Sequence, residues 1–155
     1  MRLVLVRHGK AEPLHASDRE RVLTARGHKQ AAITGAWLAG RLSGPVILAS
    51  STYRRARETA EHIRRALPQA ELRIIKGITP EDDVGSALAR LEAIGPMETL
   101  VVVSHMPLVA ALASWLEEGH LAGLSPFALA EARVYDVPVL GASQATLRER
   151  FVPVT

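Results

Sequence analysis

The chain has 155 residues, 48% apolar and 23% charged, which suits one globular domain with a sizeable core. It has no cysteine, which excludes disulfides, zinc–thiolate sites, iron–sulfur clusters and cysteine nucleophiles. The net charge of +3 is only mildly basic and forces no nucleic-acid partner, and no apolar stretch reaches the ~18 residues of a membrane span.

Residues 3–6, Leu-Val-Leu-Val, predict a first strand ending in an Arg7-His8-Gly9 turn. The apolar run behind Arg2 is too short for a signal peptide, so a cytoplasmic protein without membrane attachment is expected. A guanidinium and an imidazole thus stand at the carboxyl end of a buried strand, where open α/β sheets bind ligands. An imidazole there can act as nucleophile, general base or metal ligand, and the neighbouring arginine favours phosphate. Residues 9–23 predict a polar loop, after which Thr24 N-caps a helix carrying Ile33, Trp37 and Leu38 to about Leu42, closed by Gly44-Pro45. Val46–Ala49 predicts a second strand ending in Ser50-Ser51-Thr52. Tyr53, Ala56, Ala60, Ile63 and Leu67 recur at helical steps and predict a helix over 53–66, ended by Pro68.

Residues 72–75 predict a short strand. A helix then opens at Thr79-Pro80, carries Val84, Leu88 and Leu91, and stops near Gly95-Pro96. Glu81 and Asp82 fall in its first turn, where carboxylates cap a helix and complement its dipole. The continuous run 100–103 predicts a fully buried strand ending in Ser104-His105. The next helix has Pro107 in its first turn, carries Leu108, Leu112 and Trp115, and stops at Gly119. Residues 132–139 and 145–152 predict two edge strands. The alternation predicts a single α/β domain over residues 1–155, a three-layer sandwich with helices on both faces of a mostly parallel central sheet.

In such a sheet three strand ends share one edge: Arg7-His8, Ser50-Ser51 with Arg54, Arg55 and Arg57 a turn later, and Ser104-His105 at a helix start whose free N–H groups attract an anion. Two imidazoles and several guanidiniums converging there suit a tetrahedral phosphoryl group. Arginines neutralise its oxygens, and an imidazole nitrogen attacks phosphorus in line. His15, His28, His62 and His120 lack metal-ligand spacing, so neither a metal nor another cofactor is expected. Aromatic residues are only 4% and none is interleaved with the arginines, which argues against a base-stacking nucleic-acid surface.

Arg7-His8-Gly9 after the first strand, Ser51-Thr-Tyr-Arg-Arg55-Ala56-Arg-Glu-Thr59 and Val103-Ser104-His105 together resemble the histidine phosphatases of the phosphoglycerate-mutase-like superfamily. Within it the chain most resembles the small SixA-type phosphohistidine phosphatases, through Ser17-Asp18-x-x-Arg21-x-Leu23-Thr24-x-x-Gly27, Thr79-Pro80-x-x-Asp83-Val84 and Ser104-His105-Met-Pro107-Leu108-Val109. The resemblance covers about residues 2–110 and implies a two-step reaction in which His8 accepts the phosphoryl group. Arg7, Arg55 and His105 would grip it, Gly9, Ser17, Asp18, Arg21 and Ser104 would bind substrate, and Glu81 or Asp82 would donate a proton. Met106 follows His105, so the His-Asp arrangement of acid phosphatases is missing. That absence favours a phosphoramidate, whose leaving nitrogen is easily protonated, and the compact 9–24 loop with no large insertion implies an open pocket. Such a pocket suits phosphohistidine on a protein, such as a histidine-containing phosphotransfer domain, met by a monomeric enzyme. A small-molecule phosphomonoesterase or mutase on the same fold is the alternative, and a non-catalytic phosphate- or RNA-binding module is a third.

Overall fold

Strict alternation along the buried strands decides how the layers assemble. The computed structural model describes residues 1–13 and 16–155, so His15 lies outside the described residues. The elements are β1 (Arg2–Arg7), a 3-10 turn (Asp18–Glu20), α1 (Ala25–Ala39), β2 (Val46–Ser50), α2 (Arg54–Ala66), β3 (Ala70–Ile74), α3 (Val84–Glu92), β4 (Thr99–Ser104), α4 (Leu108–Glu118), β5 (Ala132–Asp136) and β6 (Thr146–Phe151). They form a six-stranded sheet of order β3-β2-β4-β1-β5-β6. The first four strands in that order are mutually parallel, while β5 and β6 run antiparallel to their neighbours.

Leu3, Leu5, Leu100 and Val102 face α3 and α4, in a core with Leu88, Leu91, Leu108 and Leu112. Their neighbours Val4, Val6, Val101 and Val103, with Leu48, point the other way onto Leu38 of α1 and Ala56, Ala60 and Ile63 of α2. The sheet is thus covered on both faces, as its mostly parallel pairing requires. Each fully buried branched side chain contributes about 1.5–3 kcal/mol from burial. Among the described residues no helix is long and apolar enough to cross a membrane.

Register brings the chemistry to one edge. Arg7 pairs with Ser104 and Ser50 with Val103, so β1, β4 and β2 end level. The first residues past β1 and β2 remain stitched to β4, His8 N–H donating to the Ser104 carbonyl at 3.1 Å and Ser51 N–H to the Val103 carbonyl at 3.0 Å.

Three expectations need correction. No helix opens at Thr79-Pro80: Asp82 Oδ2 accepts the Thr79 N–H at 2.8 Å and its hydroxyl at 2.7 Å, closing a separate turn. Asp83 then caps α3, its Oδ1 accepting the Ser86 N–H at 2.7 Å. The first helix ends at Ala39, short of Leu42. The segment expected as two edge strands supplies only one, because β5 lies between β1 and β6 and is buried along most of its length. Its Arg133, 3% exposed, disguises it as a surface strand.

Candidate active site

His8 leaves β1 with its ring turned back on its own chain, Nδ1 lying 2.7 Å from the Gly9 carbonyl. A carbonyl only accepts, so the ring proton sits on Nδ1 and Nε2 is left with its lone pair. Arg55, from the first turn of α2 and 4% exposed, places its Nε 3.3 Å from that Nε2. Burial pushes the His8 pKa down to about 4. Arg55, Arg7 and Arg21 act in the same direction and the Gly9 bond acts against it. At neutral pH the imidazole is therefore uncharged, and its Nε2 electron pair accepts the Arg55 Nε–H.

Arg7 is fixed from behind. Its Nη1 donates to the Phe127 carbonyl at 2.8 Å and its backbone N–H to the Glu131 carbonyl at 3.1 Å. Its buried Nε has no partner among the described residues. Glu131 is fully buried and accepts from Ala128 N–H at 2.8 Å, Arg133 Nε at 2.5 Å and Arg150 Nε at 2.8 Å. Arg133 also lies 3.8 Å over the Phe127 ring. Buried charge thus holds the loop whose carbonyl aims Arg7. Burial lowers the pKa of both Arg7 and Arg55 below the usual guanidinium value.

His105 stands just past β4, 1% exposed, with its ring centroid 5.2 Å from that of His8. Its Nε2 lies 2.7 Å from Ser51 Oγ, and its buried Nδ1 has no partner among the described residues. Burial, then His8 and the two arginines, lower its pKa even more than that of His8. Tyr53 packs edge-on against the His105 ring at 5.1 Å, under the Arg55 guanidinium at 5.0 Å. The Tyr53 hydroxyl donates to Glu81 Oε2 at 3.0 Å.

The other expected residues divide. Asp18 joins the cluster, its carbonyl accepting Arg55 Nη1 at 2.8 Å and its carboxylate accepting Arg21 Nη1 at 2.9 Å. Arg21, and then Arg55, hold its carboxyl below the ordinary range, which makes it a poor proton donor. Arg21 is itself oriented by the Glu12 carbonyl at 2.7 Å. The Gly9 amide donates to Thr59 Oγ1 at 3.1 Å and the Ser104 hydroxyl to the Ile78 carbonyl at 2.7 Å, so both are engaged within the protein. Ser17 stands exposed just ahead of the 3-10 turn. Glu81 reaches the cluster through Tyr53, whereas Asp82 is turned to Thr79.

The sequence places Ser51 at the site's edge without a specific role and offers none for Tyr53, Thr59 or Glu131. Ser51 and Thr59 are fixed letters of the second motif, a signal open to use. Tyr53 falls in the apolar stripe of its predicted helix, which hides its hydroxyl, and Glu131 carries no local signal. Among the described residues no group of three His, Asp or Glu side chains is arranged to hold a metal ion. The arrangement offers a lone pair on His8 Nε2 beside two guanidiniums and a second imidazole, which suits in-line attack on a tetrahedral phosphoryl group.

Known proteins resemble this chain in sequence and in fold. The sequence profile of the histidine phosphatase superfamily (branch 1) matches residues 3–79. The phosphohistidine phosphatase SixA homolog of Haemophilus influenzae is 35% identical over 126 residues, covering 75% of this chain and 77% of that protein. Phosphohistidine phosphatase SixA of Escherichia coli is 31% identical over 122 residues, covering 77% and 76%. The structure of the protein histidine phosphatase SixA complexed with tungstate superposes with a TM-score of 0.83 at 26% identity, over 98% of this chain and 97% of that one. Its agreement extends through β5 and β6, beyond the reach of the motifs. The chain belongs to the histidine phosphatase superfamily, among its SixA-type members.

Proposed function

We propose that this protein hydrolyses phosphohistidine displayed on another protein, by way of a phosphoryl group carried on His8. The bond from His8 Nδ1 to the Gly9 carbonyl carries this reading, because it puts the ring proton on Nδ1 and leaves Nε2 with its lone pair, which accepts the Arg55 Nε–H in the free protein. In the first step the Nε2 lone pair forms a bond to phosphorus while the substrate's P–N bond breaks, and the departing imidazole takes a proton from solvent. In the second a water oxygen bonds to phosphorus, the bond to His8 breaks, the electron pair returns to Nε2, and inorganic phosphate leaves. Arg7, Arg55 and His105 stabilise the oxygens on which charge develops. Phosphohistidine is favoured as substrate because its leaving nitrogen is easily protonated, while Asp18 is held as a carboxylate and Asp82 is turned away. The SixA relatives are phosphohistidine phosphatases, and one of them binds tungstate, a tetrahedral oxyanion, which supports the same assignment. In this reading the whole chain works as one domain and as a monomer, in the cytoplasm, without metal or cofactor.

Brief exposure to a phosphoramidate donor, acid-free quenching and peptide mapping should place the phosphoryl group on His8. His8→Ala should fold normally yet lose turnover of a phosphohistidine peptide. Normal turnover in that variant, or a label mapped elsewhere, would sink the proposal. Faster turnover of p-nitrophenyl phosphate than of the peptide would shift it toward a small-molecule phosphomonoesterase.

A further inference from the structure

His105 has two ring nitrogens and, when neutral, one proton to place on them. Which nitrogen carries it decides whether the ring meets a phosphoryl oxygen with an N–H or with a repelling lone pair. Nδ1 is buried and without a partner among the described residues, while Nε2 lies 2.7 Å from Ser51 Oγ. Ser51 is fully buried, as is His105 to within 1%.

Hydrogen-bond accounting at Ser51 discriminates between the tautomers. Its oxygen already accepts the N–H of Tyr53, the residue that precedes α2, at 3.2 Å. Were His105 to carry its proton on Nε2, Ser51 would accept a second bond and its own O–H would be buried facing no acceptor among the described residues. A buried polar hydrogen left in that state costs about 1–3 kcal/mol. With Ser51 donating instead, both of its roles are filled, Nε2 is the acceptor, and the imidazole proton moves to Nδ1. Among the described residues the partners of the Ser51 hydroxyl are His105 Nε2 and the Tyr53 N–H, so no other acceptor competes for its proton.

We infer that Ser51 is a positioning residue: its hydroxyl, steered by the Tyr53 amide, locks His105 as the Nδ1–H tautomer and so turns the second imidazole into a hydrogen-bond donor for the transferring phosphoryl group. The inference rests on the phosphoryl-transfer reading of the site. It goes beyond that reading in assigning a proton to one atom and the cause to a serine with no substrate contact of its own. The two imidazoles then have the same tautomer for opposite uses. His8 is pinned through Nδ1 by a carbonyl, so that Nε2 attacks; His105 is pinned through Nε2 by a hydroxyl, so that Nδ1–H donates.

Imidazole-nitrogen NMR on the free protein near neutral pH tests the tautomer directly. The wild type should show His105 protonated at Nδ1, and Ser51→Ala should show a mixture or the opposite tautomer. A wild-type ring protonated at Nε2, or a ring unmoved by Ser51→Ala, overturns the assignment. In kinetics, Ser51→Ala should lower kcat for a phosphohistidine peptide roughly 10- to 100-fold with KM little changed, the mark of a contact that strengthens in the transition state. Ser51→Thr, which keeps the hydroxyl, should recover most of that loss, and wild-type kcat in Ser51→Ala would again overturn the role. The NMR needs no turnover, so failure of the phosphatase reading and failure of the Ser51 role register separately.

Discussion

Tyr53 holds Glu81 at the site from within the core, since its ring, 7% exposed, packs on His105 while its hydroxyl reaches the carboxylate across 28 positions of sequence. The pair bears on which leaving groups the enzyme can expel. An alkoxide needs a proton as it departs, and a positioned donor contributes about 10²–10⁴-fold, whereas an imidazole nitrogen makes a smaller demand. If Glu81 supplies that proton, Glu81→Gln should cut kcat/KM for an alkyl phosphomonoester about 100-fold, and for a phosphohistidine peptide by about tenfold or less. Tyr53→Phe, which keeps the ring and removes only the tether, should move the ratio of the two substrates in the same direction by a smaller amount. Equal losses on both substrates would exclude Glu81 as donor. That Arg7, His8 and His105 would share one sheet edge was legible because each lies at or just beyond the end of an apolar run, and Arg55 because it falls in the first turn of the helix that follows β2. Tyr53 was not, because counting helical periodicity scores a tyrosine only as apolar. The meaning of its hydroxyl depends on a partner that the fold alone brings near.

The elements that carry the site are held by close backbone packing as much as by side chains. Gly9 and Gly27 face each other: a Cβ on Gly27 would lie 2.0 Å from the Lys10 carbonyl oxygen, and one on Gly9 2.6 Å from the Gly27 oxygen. The first turn of α1, capped by Thr24 at 3.0 Å, therefore abuts the segment that aims His8. Gly27→Ala should push the two apart and lower stability by about 2 kcal/mol, the typical cost of overpacking, measured by urea unfolding. It should also cost more activity than the lost stability explains. Gly85→Ala is the matched control, because its Cβ meets only Asp83 Oδ1 at 3.6 Å. That change should be neutral or stabilising by a few tenths to about 1 kcal/mol. Wild-type stability in Gly27→Ala would remove this account of the packing. The same elements show where sequence reading stops. β1, β2, β4 and α2 were legible from unbroken apolar runs and a regular stripe. The start of α3 was not, because Asp82 and Asp83 both suit a cap, and only the three-dimensional turn gives Asp82 to Thr79. The inward position of β5 was hidden by Arg133, whose burial depends on Glu131, two residues back along the chain.

Across the whole molecule, folding places imidazoles where they resist protonation, and stability should register this. Burial lowers the pKa of His8, His62 and His105, the first from 6.5 to about 4. Below about pH 6.5 the unfolded chain binds protons that the fold refuses, so stability is full above that value and falls as pH drops toward 4. The His8 shift alone corresponds to about 3 kcal/mol at 1.36 kcal/mol per unit, and His62 and His105 act with the same sign. Asp18, Glu61 and Glu131 have lowered carboxyl pKa values, and their contribution is lost in a separate, lower window, as pH falls below the ordinary carboxylate range. Urea unfolding between about pH 7.5 and 4.5 should therefore show stability falling by several kcal/mol before most carboxylates titrate. His8→Gln should flatten that slope by about 2–3 kcal/mol, since it removes one titrating ring from both states. A flat profile, or an identical slope in the variant, would contradict the burial of a neutral His8. The order of events also bears on activity. Because His8 keeps its lone pair down to about pH 4 while the fold weakens from about 6.5, the acid loss of kcat/KM should follow unfolding rather than titration of His8. Gly85→Ala, to the extent that urea unfolding shows it stabilised, should then shift that acid limb to lower pH, whereas titration of His8 itself would leave the limb in place.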